Sequence, residues 1–418
     1  MNIILGGGLT GLTAAYELTK KGEEVTVVEK DNQPGGLFAS MKRDGYYIEK
    51  YYHHIFKNYA NVIGLLKELG LGGELEWRKA SSGFFDERLY RLSSPFDLLF
   101  YHPLSIKDKL DLARLVLKMK SIKDSIQFDD VIAEDWIIEN SNSRVYEKFF
   151  KPLVLSKYEG YSNISASWFI ERMKLRNKRG ISGERLGYLR GGFEQMIQRM
   201  VKKIKDNGGE IRLSKTVSST KNDGKKIKAV KIGSETIKSD NVISTINPDK
   251  LEKLVAGFKK PNVKYQGSAC VLLALKKQLH PYYWTNIIRP ELSFGAIIEH
   301  TNFMPPEDYG GEHLVYLASY PGEKSKVWGQ SDGQVFESYF GDLKRIFRLD
   351  KKDILKWWVF RNRESGLVFE TGTAKNMVQT TTRFENLFIG GVFNSYPERS
   401  SDESIRLGKE CARLALGG

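Results

Sequence analysis

Cysteine is scarce in this sequence: 418 residues hold only Cys270 and Cys411, far apart in the chain. That excludes a disulfide framework and leaves no cysteine cluster for zinc or an iron–sulfur centre. It suits a reducing, cytoplasmic compartment. Histidine is nearly as rare, with six residues at no metal-binding spacing, and the acidic pairs Asp129–Asp130 and Glu134–Asp135 have no such spacing either. No metal is therefore expected. Long apolar runs are missing, since no stretch approaches 18 apolar residues, so no transmembrane helix is expected. Met1-Asn2-Ile3-Ile4-Leu5 runs straight into glycines, and no signal peptide is expected there. Internal repeats and low-complexity stretches are also lacking. Acidic residues are outnumbered, 51 against 65 Lys and Arg, for a formal charge of +14. Such an excess suggests an anionic partner: nucleic acid, a lipid surface or a phosphorylated substrate. No nucleic-acid-binding motif accompanies the dispersed lysines, so nucleic acid is the weakest of the three.

What is present begins at the amino terminus. Asn2–Leu5 reads as a buried strand, followed by Gly6-Gly7-Gly8-Leu9-Thr10-Gly11 and a helix with Leu12, Ala15 and Leu18 on one face. A second apolar run, Val25-Thr26-Val27-Val28, closes at Glu29. Strand, Gly-x-Gly-x-x-Gly, helix, strand and acid in register define a dinucleotide site. Gly6 makes the tight turn, Gly8 lets a pyrophosphate approach the backbone, and Gly11 permits close helix–strand packing. Leu9 and Thr10 open the helix whose amino terminus receives the phosphates. Glu29 would accept hydrogen bonds from the adenosine ribose. Lys30 follows it without by itself marking a 2′-phosphate site.

Gln33-Pro34-Gly35-Gly36-Leu37 comes directly after the acid, and a purely NAD-binding unit has no need of it. With this segment the chain resembles the flavin-dependent amine oxidase and protoporphyrinogen oxidase superfamily, which includes phytoene desaturases and UDP-galactopyranose mutases. The resemblance implies that the Gly-Gly pair and Leu37 pass along the phosphates and ribityl chain of FAD. The segment Asp44 to Phe56, with Tyr51, His53 and His54, looks like the family's loop beside the flavin ring, although Glu49-Lys50-Tyr51 stands where many members have an acid followed by glycine. Farther on, Gly191-Gly192-Phe193, a helix over 194–205, a strand over 210–213, a hairpin around Gly233-Ser234 and a strand over 240–245 resemble the middle FAD segment, where Val217 would meet the adenine. The strand at 386–391, Tyr396-Pro397-Glu398-Arg399 and a helix beginning near Ser404 and Ile405 resemble the segment that closes the flavin site. Gly391-Val392 replaces the usual Gly-Asp there. A helix amino terminus aimed at the flavin would stabilise the negative charge that reduction places on the N1/C2-carbonyl edge.

The implied fold is α/β: a discontinuous Rossmann-type (GR2-like) FAD-binding domain (1–80, 185–265 and 375–418) with an interleaved α+β substrate domain. That domain comprises a helical, substrate- or membrane-facing part (81–184) and a substrate-binding sheet (266–374). Strands are expected at Ala269–Leu275, Phe294–Glu299 and Leu314–Tyr320. Ser105-x-x-Asp108 resembles a helix start, and the helix it opens carries Ile106, Leu110, Ala113, Val116 and Leu117 beside Lys107, Lys109, Arg114, Lys118 and Lys120. This pattern suits either shallow docking on anionic lipid or a core-facing helix with a solvated basic side.

The chemistry the resemblance implies is dehydrogenation of a C–N or C–C bond of a small, lipid-like or lipid-linked substrate by hydride transfer to flavin N5, with FAD held non-covalently because Cys411 lies within the last helix. His54, Glu299 and Tyr316 are the candidate catalytic residues. His54 could serve as base or flavin contact, Glu299 ends a strand of the substrate sheet, and Tyr316 shares a strand face with Tyr320. Arg361 and Arg363 are candidates for an anionic group. An alternative is a mutase-like isomerase acting on a nucleotide sugar, since His53-His54-Ile55-Phe56 is similar to the mutases' His-Ile-Phe-His loop, with Lys57 at the second His. A further alternative is a flavin-binding protein without turnover.

Overall fold

A computed structural model describes residues 1–158, 160–176 and 184–418; residues 159 and 177–183 of the expected helical block lie outside the described residues. The first sheet is five-stranded and wholly parallel, in the order Leu387–Ile389, Asn241–Ser244, Asn2–Leu5, Val25–Val28, Glu210–Arg212. Asn2–Leu5 and Val25–Val28 are buried at every position, as a strand covered on both faces must be. Asn241–Ser244 pairs with Asn2–Leu5 on one side and Leu387–Ile389 on the other, and Val25–Val28 pairs with Glu210–Arg212, which brings the three distant segments into one sheet.

Helix Leu9–Thr19 fills the crossover between the first two strands and is buried along nearly its whole length. A Cβ on Gly11 would sit 2.1 Å from the Gly6 carbonyl oxygen, so only glycine lets helix and turn approach this closely. Helix Ser401–Ala415 packs across the same helix at Gly408, where a Cβ would meet the Thr10 carbonyl oxygen at 2.6 Å. Helix Glu194–Asp206 buries Met196, Ile197, Met200 and Ile204 along one face. The expected hairpin is present as Ile227–Ile232 and Glu235–Lys238, joined to Val217–Asn222 in a three-stranded antiparallel sheet.

The second large sheet has seven strands in the order Ile354–Leu367, Tyr265–Leu275, His313–Ser319, Ala296–Glu299, Trp284–Ile287, Ser82–Phe85, Leu89–Arg91. All its pairings are antiparallel except that of Trp284–Ile287 with Ser82–Phe85. The last two strands come from the 81–184 segment, which the pattern presented as largely helical. Glycine, serine and aromatic residues at 82–85 carry little alternation, so their strand character comes from the sheet they join. Helix Ile106–Ser121 forms with the expected capping box, Ser105 Oγ accepting from Asp108 N at 3.2 Å. Its inward face is Leu112, Leu115 and Met119, whereas Ile106, Leu110 and Leu117 point outward.

Candidate cofactor and active site

A cavity of about 1030 Å³ runs along the carboxyl ends of the parallel strands and under the seven-stranded sheet. Open α/β sheets bind ligands in this position. One end is lined by Gly6, Gly8, Leu9, Thr10, Glu29 and Lys30. Gly8 has nothing within 4 Å of where a Cβ would stand. The cradle is therefore open at the position where the motif brings a pyrophosphate to the backbone. Glu29 Oε2 accepts from Gly7 N at 2.7 Å and Oε1 from Asp31 N at 2.8 Å. These bonds fix the carboxylate at the strand end and leave lone pairs for ribose hydroxyls. The Gly-Gly segment docks on this turn through Gly35 N to Gly7 O at 2.8 Å. Gly35, Gly36 and Leu37 continue the wall, and Val217 joins it from the three-stranded sheet.

At the far end the carboxy-terminal segment supplies Gly391, Ser400, Ser401 and Ser404. Ser400 caps helix Ser401–Ala415 by accepting from Glu403 N at 3.1 Å. The helix amino terminus therefore borders the cavity and offers it a positive potential. Ile405 is wholly buried behind this turn and does not line the cavity. Gly11 lies outside the lining as well, consistent with its packing role.

The loop 51–54 forms the central wall. His53 is held by Leu37 O at 2.9 Å from Nε2. A carbonyl only accepts, so Nε2 carries the proton, and burial lowers the ring to about 4. His53 is a neutral imidazole that ties the loop to the Gly-Gly segment. His54 also faces the cavity, with Nδ1 3.0 Å from the Tyr283 hydroxyl. Tyr51 lies near Phe360 and Tyr52 sets its ring edge-on to Trp284. The Tyr52 and Tyr320 hydroxyls bond to each other, and the Lys157 ammonium sits 4.6 Å above the Tyr320 ring. The chamber beyond the cradle is thus aromatic, with cationic Lys157, Arg172 and Arg399 on its wall.

Two expected catalytic residues are elsewhere. Glu299 is fully buried, with its carboxylate accepting from Leu279 N and His280 N, both at 2.9 Å, and it does not line the cavity. Burial raises that carboxyl to about 7. Tyr316 is fully buried too, and its hydroxyl donates to the Glu49 carbonyl at 2.6 Å. It braces the 40–49 hairpin against the sheet, while Tyr320, one step past the strand, reaches the cavity. Both corrections have one cause. The central strands of this sheet are covered on both faces, so alternation does not reveal which face meets a ligand. Arg361 reaches the lining, but its guanidinium is spent on Val327 O, Gln330 O and Asp332. Arg363 instead lies over the Trp328 ring.

Residues not named as site candidates from the sequence complete the chamber: Tyr52, Lys157, Tyr158, Trp168, Arg172 and Phe360. Nothing local in the sequence around Lys157 and Tyr158 says that they face a cavity. Glu398 lines it as well, accepting from the Tyr59 hydroxyl at 3.0 Å with its carboxyl raised by burial.

Fold and cavity together set a glycine-lined cradle at the end of a parallel sheet beneath a chamber roofed by the seven-stranded sheet. The family model for flavin-containing amine oxidoreductases matches residues 9–416, and the chain belongs to that family of flavin-dependent oxidoreductases. Among curated relatives, it is 34% identical over 73 residues to a coproporphyrinogen III oxidase of Propionibacterium freudenreichii subsp. freudenreichii, covering 18% of this chain and 14% of that protein. It is 25% identical over 286 residues to a 15-cis-phytoene desaturase of Synechococcus elongatus, covering 60% of this chain and 59% of that one. The matched regions thus span well under two thirds of these relatives' lengths. Among solved structures, one assigned provisionally as a protoporphyrinogen oxidase from Exiguobacterium sp. 255-15 superposes with TM-score 0.80 at 18% identity, covering 100% of this chain and 99% of the other. A reduced UDP-galactopyranose mutase gives TM-score 0.76 at 17% identity, covering 100% and 95%. At these identities the structural matches speak for the fold.

Proposed function

We propose that the chain binds FAD non-covalently and dehydrogenates a C–N or C–C bond of a small or lipid-like substrate. The observation that carries this reading is the single cavity joining the glycine cradle to the aromatic chamber. Gly6, Gly8 and the start of helix Leu9–Thr19 would take the pyrophosphate, Glu29 the ribose and Val217 the adenine. Bound FAD would supply a two-electron acceptor. This chain's residues would orient the substrate against Tyr52, Tyr320 and Phe360 and exclude water. His54 would take up the proton that leaves with the broken bond. Cys411 is buried in the last helix, its thiol pushed up to about 12 and away from the cavity lining, which supports non-covalent attachment. The two buried thiols suit a reducing compartment, and we place the enzyme in the cytoplasm.

The test is reconstitution of the purified protein with FAD. Visible flavin absorbance, thermal stabilisation and release of the flavin on acid precipitation are expected. Absence of both absorbance and stabilisation would sink the reading. Candidate amines, porphyrinogens and polyenes are then screened for bleaching of the flavin band. His54→Ala should retain the spectrum while slowing bleaching by a working substrate about a hundredfold. The mutase reading rests on the His53-His54-Ile55-Phe56 loop, of which His53, His54 and Phe56 line the cavity. Lys57, at the position of that loop's second His, is exposed and outside the lining. Turnover only after dithionite reduction would favour the mutase. A flavin that no candidate substrate reduces would favour a binding protein without turnover.

A further inference from the structure

Six of the ten exposed large apolar side chains among the described residues fall between Phe96 and Leu117. Phe96, Leu99 and Phe100 belong to the short helix Pro95–Phe100; Ile106, Leu110 and Leu117 belong to helix Ile106–Ser121. Phe100 is 71%, Ile106 79% and Leu117 66% exposed, values that a soluble surface rarely concentrates in one place. At about 100° per residue, Ile106, Leu110 and Leu117 lie within about 40° of one another. The buried Leu112, Leu115 and Met119 occupy the opposite side. The helix therefore has two apolar faces, one spent on the core and one turned outward. Lys109 Nζ donates to the Leu99 carbonyl at 2.8 Å, which locks the two helices side by side and makes their outward residues one patch.

The same angular arithmetic puts Lys107, Arg114 and Lys118 on one flank of the ridge and Lys109 and Lys120 on the other. From the apolar ridge with its basic flanks we infer that this face docks on an anionic phospholipid membrane, with the helix lying in the interfacial plane. The ridge would enter the acyl boundary while the lysines snorkel to the headgroup phosphates. Among the described residues no helix is long and apolar enough to cross a membrane, so the contact is one of surface docking. A second copy of this chain fits the patch less well. A two-fold contact along the ridge would set its basic flanks against their own copies.

The test is co-sedimentation of the full chain with vesicles of phosphatidylcholine alone or with about 30 mol% phosphatidylglycerol. Binding to the anionic vesicles, weak on neutral ones and weakened by about 1 M salt, is expected. The double variant Leu110→Ser/Leu117→Ser should lose about tenfold or more in partitioning with its melting temperature preserved, because both positions face solvent. If that variant does not fold, Lys107→Glu/Lys120→Glu serves in its place and should lose binding to the anionic vesicles alone. Three results would overturn the inference: no binding to anionic vesicles, binding that the folded variants retain in full, or a lipid-free dimer that the same substitutions dissociate.

Discussion

Gly8 and Glu299 are both surrounded by hydrogen-bonded backbone, yet a change at each should be felt in a different experiment. Gly8 opens onto the cavity with φ −74°, a backbone angle every residue tolerates. Gly8→Val should therefore leave the melting temperature of the flavin-free protein within a few degrees while weakening FAD binding about a hundredfold, read by titration of flavin fluorescence. Glu299 has its effect on stability. Its carboxyl is raised by burial to about 7, so the folded state favours the protonated form. That contribution is fully present below the ordinary carboxylate range near 4.5 and is lost as pH rises through 7, by about 3 kcal/mol in all. Thermal melts should show the slope between pH 4.5 and 7, and Glu299→Gln should flatten it without altering turnover. A loss of turnover with the slope intact would return Glu299 to the chemistry. That Gly6, Gly8 and Glu29 lie together at the strand ends was legible because their spacing is local. Glu299 and Tyr316 were not, because a strand buried on both faces reads the same from either side.

Elements with their own start signals were the easiest to place. Ser105 and Asp108 satisfy each other's backbone donors, and helix Ile106–Ser121 begins where that pair predicts. Ser105→Ala should cost about 1 kcal/mol in chemical denaturation and leave the flavin spectrum unchanged. Strands Ser82–Phe85 and Leu89–Arg91 lacked such a signal, since their partners lie two hundred residues away or across a short turn. The hairpin Ser40–Arg43 and Tyr46–Glu49 is anchored by contacts no local pattern announces. Arg43 Nε and the Tyr46 hydroxyl both bond Glu312 Oε2, at 2.8 and 2.7 Å, across to the seven-stranded sheet. Through this tie and Tyr316, the loop carrying Tyr51 to His54 is held by the sheet that roofs the chamber. The chamber's cations show the same limit: Lys157, Arg172 and Arg399 come from separate elements, and only the assembled fold brings them to one wall.

Across the whole molecule, the +14 charge resolves into parts with different surroundings. Some lysines and arginines are in exposed ion pairs such as Lys202–Asp206 and Lys351–Glu337, each worth little. A few line the cavity, and a set flanks the outward ridge of helix Ile106–Ser121. The parallel sheet has another consequence, this one in time. Asn2–Leu5 pairs with Val25–Val28 on one side and Asn241–Ser244 on the other, and Asn241–Ser244 pairs in turn with Leu387–Ile389, so a strand early in the sequence waits for a partner far downstream. Until Asn241–Ser244 is made, one edge of Asn2–Leu5 is unpaired, and until the segment after Leu387–Ile389 is made the cradle lacks the wall formed by Gly391 and Ser404. Until that first pairing, synthesis leaves one edge of Asn2–Leu5 exposed, the circumstance in which chaperones are recruited. The cavity is closed only once the segment carrying Gly391 and Ser404 has joined the rest, so a ligand spanning it end to end would be held only by a chain that already includes that segment.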